Sequence, residues 1–144
     1  MVTDQIPLDM VRSGEALVRA LDHLQVRVTA ALWMRDADSG AWRLVIATPE
    51  VRLHGVRRAY RTVLSALRKC TDTQLTLSDI SVVDSRDPLV RRLTSAVTTG
   101  VDIANIRFVG NTIQGEAFPD SFIYRALAPQ SDRARSAKRA GAAT

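Results

Sequence analysis

Two stretches of this chain run with a period of two, and only a short polar break separates them. Val26, Val28, Ala30, Leu32 and Met34 alternate with Arg27, Thr29, Ala31, Trp33 and Arg35. Trp42, Leu44 and Ile46 repeat the pattern up to Thr48. Such alternation sends successive side chains to opposite faces, so both stretches read as β-strands. Between them lies Asp38-Ser39-Gly40. A three-residue hairpin loop wants a positive φ at its last position, which Gly40 takes without steric cost. With Ser39 at the loop centre, Met34 faces Leu44, Leu32 faces Ile46 and Ala30 faces Thr48. One face then carries Val28, Leu32, Met34, Trp42, Leu44 and Ile46. Arg27, Thr29, Trp33, Arg35, Arg43 and Val45 share the other, wetter face. A slip of one residue would mix the two sets, so the clean partition supports this register.

Helical spacing flanks the hairpin. Met10, Leu17, Leu21 and Leu24 form one stripe from Asp9 to Leu24, with Asp9 as the N-cap and Ser13, followed by Glu15, as a competing start. Gly14 costs about 1 kcal/mol in a helix interior, which points to a later start or to a close packing contact. Val56 to Cys70 reads as a second helix with Val56, Tyr60, Val63, Leu64 and Leu67 as its stripe. Leu75 to Asp84 reads as a strand whose parity breaks, so a bend or bulge is expected near Ser78-Asp79. Asp87-Pro88 is a strong helix start: the carboxylate accepts orphan N–H groups, and proline at the first helical position has none to waste. That helix is expected to run until Gly100 ends it in the left-handed region. Ile106–Ile113 and Phe122–Leu127 read as two closing strands.

The order α-β-β-α-β-α-β-β predicts one α+β domain over residues 1–129. Its sheet is mixed, with antiparallel hairpins at both ends and helices packed on it. Residues 130–144 read as a basic, disordered tail.

Composition excludes more than it assigns. The net charge is +5, from 20 Lys+Arg against 15 Asp+Glu, but residues 130–144 alone carry +3. Of the basic residues only Lys69 and Lys138 are lysine, a skew that a GC-rich genome can produce as well as function can. A lone cysteine, Cys70, allows no intramolecular disulfide, CxxC pair or thiolate zinc cluster. His23 and His54 lie at helix ends without metal spacing, so neither a metal nor a cofactor is expected. With no apolar run near the ~20 residues of a membrane span, and no signal-like N-terminus, the expected setting is cytoplasmic. Phosphate-binding, dinucleotide-binding, nucleophile-elbow and EF-hand motifs are all missing from the sequence. A nuclease with an acidic–acidic–lysine strand is excluded by the positions of the two lysines. TAALW, RLVIATP and DPLVRRL resemble the wording of small bacterial proteins and imply no activity.

Four groups of residues remain as candidate surfaces. On the second helix, Arg57 and Arg61 are four apart and Arg68 seven further on, near one line, with Arg58 and Lys69 beside them. In the tail, Arg133, Arg135, Lys138 and Arg139 form a basic run. Trp33, with Arg35 and Arg43 on the wetter face, is placed to stack on a base or to anchor a partner. In the last hairpin, Asn111, Glu116, Asp120, Tyr124 and Arg125 are a possible ligand cluster. The leading expectation is a non-enzymatic module whose arginine-rich helix and tail engage nucleic acid or an acidic partner. The rival is a protein–protein or homo-oligomeric module built on the Trp33 face or the last strands. A third reading, a small hydrolase or transferase, would centre on the hairpin over 110–125.

Overall fold

In the computed structural model, which describes residues 6–71 and 73–129, helix α1 (Leu8–His23) leads into a hairpin of β1 (Ala30–Arg35) and β2 (Trp42–Ala47). Helices α2 (Glu50–His54) and α3 (Val56–Arg68) follow. A 3-10 turn, η1 (Leu77–Asp79), then runs straight into β3 (Ile80–Val83). Helix α4 (Pro88–Thr94) precedes β4 (Ile106–Phe108). The small hairpin β5 (Thr112–Ile113) and β6 (Glu116–Ala117) comes next, and β7 (Ser121–Ala126) closes the fold.

Five strands form one mixed sheet in the order β3-β2-β1-β7-β4. β1 is antiparallel to β2 and β7, β7 is antiparallel to β4, and β2 runs parallel to β3. The fold is therefore α+β with a mixed sheet, broadly in the order the sequence implies, with α2 and the separate two-stranded β5–β6 hairpin added. Trp33, Leu44, Ile46, Ile80 and Tyr124 form one core with Leu17 and Leu21 of α1 and Val63 and Leu67 of α3. Leu32, Val45 and Ile123 form the other with Val90 and Leu93 of α4, Ile113 of β5 and Phe118. Both faces are thus covered, and the central strands show no solvent side.

That double burial explains the main departure from expectation. Across β1 and β2, Trp33 faces Leu44, Leu32 faces Val45 and Met34 faces Arg43, one residue away from the expected register. The loop holds four residues rather than three. Asp36 N–H donates to the Ala41 carbonyl at 2.8 Å, and Gly40 N–H donates to the Asp36 carbonyl at 2.8 Å. The Asp36 carboxylate accepts the N–H groups of Asp38 and Ser39 at 2.8 and 2.9 Å, a side-chain turn that takes up the extra residue. Those two bonds, Ser39's above all, hold the Asp36 carboxyl below its usual range. Gly40 keeps its positive φ of 74°. Mixing the two sets carries no penalty, because both faces are core.

Other boundaries moved for local reasons. The parity break before β3 is η1 rather than a bulge, closed by a capping box between Thr76 and Asp79. Helix α4 ends at Thr94, six residues before Gly100, which is not in the left-handed region. There the Thr94 and Ser95 hydroxyls donate to the Val90 and Arg92 carbonyls, satisfying the last turn locally. The expected strand over 106–113 is split at Gly110, whose φ is 66°. A Gln114-Gly115 turn with both φ values positive joins β5 to β6.

Candidate functional site

Helix α3 buries Ala59, Val63, Ala66 and Leu67 against the sheet, the i, i+4, i+7, i+8 spacing of one helix face. Its opposite side carries Arg57, Arg58, Arg61 and Arg68, all exposed, with Lys69 just beyond. At 100° per residue Arg57, Arg61 and Arg68 fall within about 40° of one line and span about 17 Å. The helix contains no acidic residue.

What these arginines touch separates them from the arginines that hold the fold together. Arg125 is a buried pin: its guanidinium meets both carboxylate oxygens of Asp22, at 3.0 and 2.8 Å, and donates from Nε to the Val101 carbonyl at 2.6 Å. Arg92 donates to the carbonyls of Ile113, Glu116 and Ala117 and lies over the Phe118 ring, fastening the β5–β6 hairpin to α4. Arg43 reaches the Ser81 hydroxyl and the Ser78 and Ile80 carbonyls, tying β2 to the start of β3. Arg52 pairs with Asp84, and Arg19 with Glu15. Among the described residues, no carboxylate pairs with Arg57, Arg58, Arg61 or Arg68. Arg12, Arg91 and Arg107 are also exposed and pair with no carboxylate among the described residues, but Arg57, Arg61 and Arg68 are the ones that line up along a single helix face.

Beside that row runs an open groove of about 620 Å³, lined by Val56, Arg57, Tyr60, Arg61 and Leu64 of α3 and by Leu77 of η1. Tyr60 is half-buried and packs against the core, and its hydroxyl accepts the Val82 N–H at 3.1 Å. A second groove, of about 1090 Å³, separates α1 from the segment after α3, with Arg12, Arg19, His23, Lys69 and Cys70 in its lining. Lys69 therefore belongs to a different surface from Arg57 and Arg61. Burial pushes the Cys70 thiol above its ordinary range, and Sγ lies 3.5 Å from the Ala66 carbonyl.

The other expected sites are dispersed. Trp33 is fully buried beneath α1 rather than on a wet face, and its indole N–H donates to the Tyr124 hydroxyl at 3.0 Å. Met34, not Trp33, shares a face with Arg43, and Arg35 folds back over the hairpin loop near Gly40. The surface combination of Trp33, Arg35 and Arg43 does not exist. In the last hairpin, Glu116 is exposed, 3.7 Å from Arg92. Asp120 accepts the Gly110 N–H at 3.0 Å, and Asn111 donates to the Val109 carbonyl at 3.1 Å. Tyr124 and Arg125 point the other way, towards α1, where Tyr124 donates to the Val11 carbonyl at 2.5 Å. Neither groove is lined by any of these five residues. Arg133, Arg135, Lys138 and Arg139 lie outside the described residues.

A strand over Leu75 to Asp84 hides the groove beside α3, because it keeps Leu77 in the sheet, whereas η1 brings Leu77 beside Tyr60. The signal was the Thr76-Leu-Ser-Asp79 spacing, a helix-start signature inside an apolar run. Among the described residues, no three His, Cys, Asp or Glu side chains gather where they could hold a metal ion. No described helix is long and apolar enough to cross a membrane. Comparison with protein-family models, curated proteins and solved structures finds no match to this chain.

Proposed function

We propose that this chain is a non-enzymatic binding module of the cytoplasm that docks a polyanionic partner on the outer face of α3. The observation that carries this reading is the exposed row Arg57, Arg61 and Arg68, with Arg58 beside it, on a helix without a single acid. Arginines retained only for packing would resemble Arg92 and Arg125, which are bonded to carbonyls or a carboxylate. A solvated row instead costs self-repulsion in the free protein, and a partner's negative charge relieves it. The net +3 over residues 130–144 adds to the same attraction.

Fluorescence anisotropy of the full chain with labelled poly-glutamate, single-stranded DNA and duplex DNA tests this, at about 50 and 300 mM salt. Binding should weaken steeply with salt and fall at least about tenfold in the Arg57→Glu/Arg61→Glu variant. Both sites are exposed and pair with no carboxylate among the described residues, so its thermal transition should stay where the parent's is. Absence of binding to all three probes at the lower salt would rule the reading out.

A further inference from the structure

We propose that the groove between α3 and η1 takes a peptide segment of another protein in which apolar side chains are flanked by carboxylates. This rests on the α3 face being a docking surface and names the kind of partner it fits. Val56, Tyr60, Leu64 and Leu77 give the groove an almost wholly apolar lining, while Arg57 and Arg61 supply its charge. Val56 is 54% exposed, and Leu53, at the end of α2 just before it, is 57% exposed. Val56 lines the groove itself, and an apolar side chain so open to water within an apolar lining marks a surface completed by contact. A nucleic acid would neutralise the arginines through its phosphates but leave this lining wet. An apolar peptide without acids would fill the lining and leave two guanidinium groups at its border unpaired. Only a ligand with both properties answers both.

The mode of docking is also constrained. β3 is an edge of the sheet, and an open edge ordinarily invites an incoming strand. Here the Tyr60 hydroxyl already accepts the Val82 N–H, which occupies the middle of that edge. The segment is therefore recognised through side chains laid into the groove. A helix with apolar residues at i, i+3, i+4 and i+7 and glutamates alongside meets that demand.

The test uses the full chain and a labelled helical peptide of about fifteen residues with leucines at that spacing and glutamates between them. Two probes of equal charge, poly-glutamate and a single-stranded DNA, serve as comparators. The leucine–glutamate peptide should bind at least about tenfold more tightly than either comparator. It should shift the amide resonances of Val56, Tyr60, Leu64 and Leu77 and lose most of its affinity for Arg57→Ala/Arg61→Ala. Because a Leu64→Ser change disturbs packing, it is read only with an unchanged far-ultraviolet spectrum; the resonance map needs no variant at all. Equal binding of all three probes overturns the peptide inference and leaves the α3 reading standing. Failure of all three to bind overturns both. Shifts confined to the groove by α1, or shifts at the α3 groove produced by concentrating the protein alone, also overturn it. The second of these would assign the groove to another copy of the chain.

Discussion

Gly14 sits inside α1 with its α-carbon against the buried pair Trp33 and Tyr124. A methyl group there would run into the Tyr124 hydroxyl and come within 2.7 Å of the Trp33 indole nitrogen. The missing side chain lets Tyr124 reach the Val11 carbonyl while accepting the indole N–H, so all three polar groups are satisfied in the core. Alanine would gain about 1 kcal/mol of helix propensity, yet overpacking at a backbone contact costs more. Gly14→Ala is expected to lose about 1–3 kcal/mol net in urea denaturation, and a neutral result would contradict the packing described. Gln25 is the opposite case. Its N–H and that of Val26 close the end of α1 on the Asp22 and Leu21 carbonyls, and its φ is 60°. Glycine suits that position better, so Gln25→Gly should raise the melting transition by the equivalent of about 0.5–1 kcal/mol. Gly14 was half legible in the sequence: a helix-breaking residue in a clear stripe calls for a later start or a close contact, and with α1 beginning at Leu8 it is the contact. Gln25 was not, since nothing in its type announces a left-handed turn.

Elements were legible where a local chemical signature marks them and illegible where the tertiary environment decides. Asp87-Pro88 is the first kind: Asp87 Oδ1 accepts the Leu89 N–H at 2.9 Å and Pro88 opens α4 as expected. Asp87→Ala should therefore cost about 1 kcal/mol, measured by thermal unfolding, with serine in its place largely restoring the loss. The β1–β2 register is the second kind. Alternation identified both strands, but the choice of register assumed one dry face, and a sheet buried on both sides removes that criterion. What fixes the pairing is Asp36, whose side chain builds a four-residue loop that composition alone does not distinguish from three. The arginine row on α3 was readable because exposed helical spacing depends only on the helix itself. That the row meets no carboxylate among the described residues depends on where distant acids fold, and so needed the structure.

At the scale of the molecule, one buried charge and one shared sheet hold the layers together. Arg125, its side chain 3% exposed, joins β7 to α1 through Asp22, which remains 40% exposed, and to the chain at Val101. A bulge opposite Ala31 and Leu32 lets consecutive residues, Tyr124 and Arg125, both turn towards α1. Removing the carboxylate leaves a buried cation short of its partner, whereas removing the cation leaves an aspartate that can be hydrated. Asp22→Ala should consequently destabilise more than Arg125→Met in parallel denaturant titrations, and the reverse order would refute this account. The two cores are linked more directly. β1 sends Ala31 and Trp33 into one and Ala30 and Leu32 into the other, so losing either core removes a wall from the same strand. Trp42→Phe leaves Trp33 as the sole indole and a reporter of the α1–α3 side. In that background Leu32→Ala, on the far side, should cost about 2–5 kcal/mol. Indole fluorescence and far-ultraviolet dichroism should still shift together in a single transition. If the indole signal kept its original midpoint while the dichroism moved, the two faces would be independent units, and the sheet would not couple them.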